Sequence, residues 1–553
     1  MDADRSFVAV AGTLAAGGAT LILCLLAILL LQSFAGDGWQ WTWTSNYVGA
    51  FTEPQTYRVL WNSIELAVIA TALAFFFGLP IAWLVERTNL RGKATVVAVM
   101  LVSILVPGFA SAMGWLFLLH PKIGLFHLFN VVSVAGMGVI MGFQLAPVAF
   151  LMTGSVLRAM DRQLEEAAFT AGAPPLETIR RVVLPLARPA LVSAAIYVFI
   201  IAFGTFDVPA IIGWSNRIFT FSTYIFLQTN PQAGLPDYGR AGALSVAVLI
   251  AALALTVWTR YLSLDAQRYA VVTGKAYQPR LLSLGRWTYV AYAFVAFYLV
   301  AGIILPLAVV VWESFLPFVQ APSPAAFSHL TMANYAALGG DAFFSSLANS
   351  VILMTLVPLI VLVFSFAFTW IGFRTRFRGR TLLDGIAFLP HAVPSVIMAV
   401  GVIIFSLYFL KYVVNIYGTI WIMVFAFAAT WISYGTRMTN ASLLQLHREL
   451  EESAAIGGAS TWAIVREIVL PLMSRGLLLA WIYLVILSGR ELTLSVMLTT
   501  PGNTTVPAFV WTNWLTGGLT RGAAVTICYL LCLSPLIVGY SYLMNRTKQS
   551  PAL

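Results

Sequence analysis

Runs of about twenty mostly apolar residues, each long enough to cross a hydrocarbon core of about 30 Å as a helix, follow one another along the whole chain. Inside a bilayer every backbone N–H and C=O must be paired within the protein, so runs of this length fold as spanning helices. Spans are expected near residues 8–32, 59–84, 94–119, 131–156, 190–213, 240–262, 288–313, 346–372, 384–410, 417–436, 476–498 and 522–544. They define an all-α membrane protein of about twelve transmembrane helices. With 60% hydrophobic and only 9% charged residues, the 553-residue chain leaves no room between its spans for a soluble domain. The first run, from Phe7 to Phe34, is longer than the apolar core of a cleavable signal peptide and no small-residue cleavage site follows it. It is expected to be retained as a helix.

Lys and Arg collect in alternate connections. Arg87, Arg91 and Lys93 form one group; the others lie from Arg158 to Arg188, Arg260 to Arg286, Arg374 to Arg380 and Arg437 to Arg475, with Arg5, Arg546 and Lys548 at the ends. Only Arg58, Lys122, Arg217, Arg240, Lys411, Arg490 and Arg521 fall elsewhere. Basic loops stay on the cytoplasmic side, so both termini are expected there. The net charge of +10 follows from this topology and calls for no nucleic-acid partner. The lipid bilayer is the partner that the composition demands.

Cys24, Cys528 and Cys532 lie in apolar spans without metal-ligand or disulfide spacing. The five histidines, His120, His127, His329, His391 and His447, are scattered among loops and helix ends. Neither a nucleophile–base pair nor a ligand cluster is supported. No catalytic residue, no metal site and no resident cofactor is expected, which disfavours a membrane enzyme.

The chain repeats itself. The Asn62–Ser63 pair and the loop RTNLRGK recur 287 residues later as Asn349–Ser350 and RTRFRGR, and Pro107 and Gly114 return as Pro394 and Gly401. At an offset of 286, Leu164–Leu191 matches Leu450–Leu477 at 12 of 28 positions, charged and proline residues among them. Shared hydrophobicity alone does not produce such a match. Two six-helix units are therefore fused: a first repeat over residues 1–262, a basic cytoplasmic linker over 263–287, and a second repeat over 288–553. An even number of helices per unit gives the repeats the same orientation, unlike the inverted repeats of many secondary transporters.

The repeated loops, residues 158–188 and 437–475, are the polar surprise of the chain. Before Gly172, Leu157, Met160, Leu164, Ala167, Ala168 and Ala171 recur at helical steps, with Arg158, Asp161, Arg162 and Glu165 elsewhere on the cylinder. This pattern predicts a short amphipathic helix that leaves through a left-handed cap at Gly172. Pro185 and Pro471 are expected near the start of the helix that follows, where a missing N–H is tolerated. A helix resting on lipid headgroups is the plainer alternative; duplication of the Glu, Gly and Leu-Pro spacing favours a protein docking element.

EAAFTAGAPPLETIRRVVLP (Glu166 to Pro185) and ESAAIGGASTWAIVREIVLP (Glu452 to Pro471) resemble the EAA loop of the membrane permeases of bacterial ABC importers. Copy one carries Glu166, Ala167, Ala168, Gly172, Leu184 and Pro185; copy two carries Glu452, Ser453, Ala454, Gly458, Leu470 and Pro471. Val182 and Ser453 depart from the usual Ile and Ala. The resemblance implies a type I importer-like fold in the bacterial inner membrane. It also implies two ATPase-coupling loops, a cytoplasmic ABC ATPase subunit acting as a dimer, and a periplasmic substrate-binding protein. The chain carries no phosphate-binding loop: RTNLRGKAT has Arg87 where the first Gly belongs and Ala94 after Lys93. ATP hydrolysis is thus assigned to a separate subunit.

Fusion of both halves, with FGTFDVPAIIG and GRELTLSVMLTTPGN, most resembles the ferric iron importer permeases. Thiamine, 2-aminoethylphosphonate, polyamine or sulfate importers of the same class are the alternatives. An ion-coupled secondary transporter is the alternative of another class. It would work through Asp207, Arg490 and Glu491, which sit within apolar spans where charges cost about 2.5–3.5 kcal/mol each and face the protein. These three are read either as an ion pair fixing helix packing or as lining of a translocation pathway. His391, beside Pro390, is taken as structural because the sequence shows no carboxylate or Tyr ligand next to it.

Overall fold

The structure is a computed structural model, and it describes residues 2–36, 39–122, 124–126, 128–160, 163–231, 234–267 and 281–549. Among them the only extended pairings are the isolated bridges Ala35–Trp41 and Thr88–Leu282. Everything else regular is helical, as the apolar runs require.

The first half comprises α1 (Asp2–Gln32), α2 (Pro54–Arg87), α3 (Lys93–Leu105), α4 (Gly108–Leu119), α5 (Val134–Ala159), α6 (Gln163–Thr170), α7 (Leu184–Gly204), α8 (Phe221–Thr229) and α9 (Tyr238–Gln267). The second comprises α10 (Trp287–Ser314), α11 (Asp341–Arg374), α12 (Arg380–Ala392), α13 (Ser395–Tyr408), α14 (Ile420–Leu444), α15 (Arg448–Ile456), α16 (Leu470–Arg490), α17 (Val506–Leu515) and α18 (Leu519–Gln549). Each of these is the repeat counterpart of the helix numbered nine lower. Of the linker expected over 263–287, residues 268–280 lie outside the described residues, as do Asp161, Arg162 and His127.

Among the described residues ten helices are long and apolar enough to cross a membrane, and the pair α3 and α4, bent by 94°, is an eleventh candidate. The remaining expected span, 417–436, is α14. Its 25 residues suffice in length, but buried Thr430, Ser433, Thr436, Thr439 and Asn440 dilute its apolar character. They are tolerated because α14 faces protein: Thr369 Oγ1 donates to Asn440 Oδ1 at 2.6 Å and Thr436 Oγ1 to Ser365 Oγ at 3.3 Å.

Both proline pairs have identifiable effects. The expected single spans 94–119 and 384–410 are broken at Val106–Pro107 and Val393–Pro394. A proline disfavours the helical region for the residue before it, and Val106 and Val393 are accordingly extended, at ψ 129° and 118°. Pro185 and Pro471 are the second residues of α7 and α16, near the helix start as expected. Each follows a π-helical turn, Ile179–Val183 or Val465–Val469, inside a rod that starts several residues earlier. A widened turn is a known way to accommodate a proline within a helix.

The halves exchange their first helices. The small-residue face of α1 (Ala11, Ala15, Ala19, with Ile22) packs against Phe368, Trp370 and Ile371 of α11 and Leu383 and Ala387 of α12. Conversely, α10 packs on α4 of the first half. The glycines repeated in sequence stand at these two crossings. A β-carbon on Gly114 would lie 2.2 Å from the Pro306 carbonyl oxygen of α10, and one on Gly401 would lie 3.3 Å from the Leu25 carbonyl oxygen of α1. Close backbone approach of this kind is how membrane helices gain packing energy.

The other repeated pair fastens α2 and α11 to the far end of the bundle. Asn62 Nδ2 donates to the Phe219 carbonyl and Asn349 Nδ2 to that of Thr504, both at 2.9 Å. Ser63 Oγ accepts from Phe221 N at 2.7 Å, and Ser350 Oγ from Val506 N at 2.9 Å. Phe221 and Val506 open α8 and α17, so each Ser satisfies a helix-end N–H that has no partner within its helix.

Candidate functional site

Two places gather the residues that the sequence singled out. The first is the pair of short polar helices, α6 and α15. The helix expected from Leu157 onward is in fact interrupted: α5 ends at Ala159, Met160 is extended at ψ 141°, and α6 restarts at Gln163. Both short helices then end alike. Gly172 has φ +85° and Gly458 φ +86°. Gly172 N donates to the Phe169 carbonyl and Ala173 N to that of Ala168, both at 3.0 Å; Gly458 N donates to Ala455 and Ala459 N to Ala454, again at 3.0 Å. This is the Schellman arrangement, which caps the last carbonyls of a helix and needs a residue free to take positive φ.

A pair of buried ion pairs, which the sequence reading did not single out, holds these helices. Arg87, the last residue of α2, places Nη2 2.8 Å from Glu165 Oε1, with side chains only 2% and 9% exposed. Arg374, the last residue of α11, places Nε 2.8 Å from Glu451 Oε1, at 7% and 15% exposure. Arg374 Nη2 also donates to the Leu446 carbonyl at 3.1 Å, and Arg448 reaches back to the Phe373 carbonyl. Burial raises the Glu451 carboxyl above its ordinary pKa, while the Arg374 guanidinium pulls it back down. The signal was present in sequence: both arginines open the repeated basic loops, and Glu165 and Glu451 are the first residues of the repeated Glu-Glu pairs. The partner acids, Glu166 and Glu452, are not the ones clasped.

Outward of these clasps the helices expose large apolar side chains among polar ones such as Glu449, Glu452 and Ser453. Leu164 and Leu450 are each about half exposed and Ile456 is 89% exposed. Among the described residues nothing lies within 4 Å of a β-carbon built on Gly172 or Gly458. Leu184, Pro185, Leu470 and Pro471 lie in the rods that return from these loops into the bundle.

The second place is a cavity of about 260 Å³ on the boundary between the halves. It lies where four helix breaks meet, those after α3, α7, α12 and α16, and its wall includes Asp207, Arg490 and Glu491. Asp207 abuts the first turn of α4, since a β-carbon on Gly108 would lie 2.6 Å from its Oδ2. Glu491 Oε1 accepts from Leu494 N at 3.2 Å at the head of the short helix Thr493–Leu498. Among the described residues Arg490 has no carboxylate within 4 Å. The three charges thus share one cavity without forming a close ion pair.

His391 lines the same cavity, and it has the aromatic neighbours that the sequence could not show. Its ring stacks on Tyr197 at 5.2 Å and meets Tyr434 edge-on at 4.9 Å. Among the described residues no group of three or more His, Cys, Asp or Glu is arranged to hold a metal ion.

The family model described as binding-protein-dependent transport system inner membrane component matches the chain twice, over residues 62–271 and 364–549. The Fe(3+)-transport system permease protein FbpB 2 of Haemophilus influenzae is 24% identical over 464 residues, covering 83% of this chain and 84% of that protein. The ferric transport system permease protein FbpB of Actinobacillus pleuropneumoniae is 23% identical over 515 residues, covering 89% and 72%. The sulfate transport system permease protein CysT of Salmonella typhimurium is 27% identical over 253 residues, 44% of this chain and 89% of its own.

Proposed function

The chain belongs to the family of inner-membrane components of binding-protein-dependent transport systems, and on that premise we propose that it passes ferric iron across a bacterial inner membrane. It is the membrane permease of an ABC importer, with two permease units fused in one multi-pass chain. Iron rests on the ferric permeases that cover most of the chain, whereas the sulfate relative covers less than half.

The single observation that carries the mechanism is the duplicated clasp: each Schellman-capped helix is tied by a buried Arg–Glu pair to the end of a 34-residue spanning helix. In our reading, α6 and α15 are coupling helices, each seated on one subunit of a dimeric cytoplasmic ABC ATPase. Glu166, Ala167, Ala168, Gly172, Leu184 and Pro185 serve one loop, and Glu452, Ser453, Ala454, Gly458, Leu470 and Pro471 the other. Both termini and both loops face the cytoplasm, as the basic residues argue. The repeats divide at the linker 263–287. A periplasmic binding protein delivers the substrate to the opposite face. The cavity between the halves, with Asp207, Arg490 and Glu491, lies on the pathway, because charges in spans face water-filled or protein interiors.

Closure of the ATPase dimer would push α6 and α15 together, and the clasps would pass that displacement into α2 and α11. The test is reconstitution of this chain with its ATPase and binding protein in liposomes, with ferric iron, sulfate and thiamine offered in turn. ATP-dependent iron uptake is expected. Uptake driven by an ion gradient without any ATPase would sink the reading.

A further inference from the structure

Arg180, Leu184, Arg188, Leu191 and Ala195 recur at steps of four, four, three and four residues along the rod that ends in α7, so they form one stripe. With Pro185, Val192 and Phe75 of α2 they line an open groove of about 480 Å³. Its two ends differ chemically. Arg180 and Arg188, about 12 Å of helix rise apart, flank Leu184 over the half nearer the polar loop, and beyond Arg188 the lining residues are apolar for about 10 Å more, as far as Ala195. Leu184 and Val192 remain more than a third exposed.

Neighbouring Arg181 pairs with Glu177 at 3.1 Å, but among the described residues neither Arg180 nor Arg188 has an ion-pair or hydrogen-bond partner. The repeat supplies a control for the general surplus of basic residues at this level. The corresponding stripe of the second half runs Arg466, Leu470, Ser474, Leu477 and Trp481, with a serine in place of the second arginine. The second half's other arginine here, Arg475, stands one residue past Ser474, about 100° round the helix, so two arginines on one stripe are a feature of the first half.

We propose that this groove is a binding site for an anionic phospholipid. The headgroup phosphate is held between Arg180 and Arg188, and one acyl chain lies along Leu184, Leu191, Val192 and Ala195 against Phe75. Charge complementarity selects the occupant: at the membrane–cytoplasm boundary the abundant anions carrying apolar tails are phospholipids, and basic pockets between spanning helices on this side suit their headgroups. The groove continues directly from the loop that carries Gly172. A lipid seated there would brace the first coupling loop and not the second.

The site can be tested on the full chain purified in detergent and relipidated with either phosphatidylglycerol or phosphatidylcholine. Phosphatidylglycerol is expected to stay bound through delipidation and to raise the unfolding temperature, and phosphatidylcholine is not. Arg188→Ser, which copies the second half, should weaken phosphatidylglycerol retention about fivefold, and Arg180→Ala should do the same. Arg181→Ala, removing a charge already paired, should leave retention unchanged. Equal losses in all three variants would reduce the effect to nonspecific surface charge and overturn the site. So would unchanged retention in Arg188→Ser, or an identical thermal shift from inorganic phosphate alone, which has no tail for the groove.

Discussion

The Arg87 guanidinium stands 2.8 Å from the Glu165 carboxylate, and Arg374 repeats the contact with Glu451 at the same distance. Two short helices are thereby fixed to two rods of 34 residues, each about 50 Å long at 1.5 Å per residue. Rods of that length reach the opposite face, where Asn62–Ser63 and Asn349–Ser350 fasten them again.

Arg87→Ala should remove the guanidinium that stands against buried Glu165, a loss of about 3–5 kcal/mol. Arg374→Ala should cost less, because that pair is the more exposed of the two. Thermal unfolding in detergent measures both. The double variant Arg87→Met with Glu165→Leu should recover much of the stability, since apolar replacements of buried pairs are often neutral. A single Arg87→Ala variant as stable as the wild type would remove the clasp from the argument.

Gly172→Leu and Gly458→Leu should each strain the backbone by about 1–2 kcal/mol at positive φ. Because among the described residues no atom lies within 4 Å of these glycines' β-carbon positions, the long side chain should intrude on a docked partner. The expected result is normal membrane insertion with weakened copurification of the ATPase. If the paired variant still copurifies and transports fully, α6 and α15 are not the coupling helices.

Vesicles containing only this chain should hydrolyse no ATP, and adding the ATPase subunit should restore hydrolysis. Robust activity of the purified chain, with no second subunit detectable by mass spectrometry, would contradict the division of labour.

Ser63→Ala and Ser350→Ala should each strand a helix-opening N–H, that of Phe221 or Val506, at about 1–3 kcal/mol. These contacts lie at the end of the bundle away from the coupling helices. Unfolding temperature should therefore fall while ATPase copurification is unchanged; loss of both together would tie this end to docking.

Asp207→Asn should lower uptake about tenfold, equivalent to about 1.4 kcal/mol, while the ATPase still binds. Glu491→Gln should act in the same direction and also weaken the cap on Leu494 N. Full uptake in both variants would leave these carboxylates as packing groups only.

The sequence disclosed whatever depends on local chemistry. Apolar run length marked the spans, and Gly172 and Gly458 marked left-handed caps. Its failures concern contacts between distant segments. Ala11, Ala15 and Ala19 show that α1 has a smooth face, yet nothing in their spacing names Phe368 as the surface it meets. His391 lacked ligating neighbours in sequence because Tyr197 and Tyr434 come from other helices. The π turns just before Pro185 and Pro471 leave no composition signal. The Arg–Glu clasps occupy an intermediate position: their residues repeat visibly, but pairing across 78 positions in one half and 77 in the other needs the fold.

The exchange of first helices sets a timetable for making the protein. At about 5–20 residues per second, α1 leaves the ribosome long before α11 and α12, which complete its seat, exist. Some 350 residues separate them, so for roughly 20–70 seconds the Ala face of α1 must rest against lipid or a chaperone. The newborn first half is thus an assembly intermediate waiting for its sequel, and an insertase that shelters small-residue helices is the helper it would need.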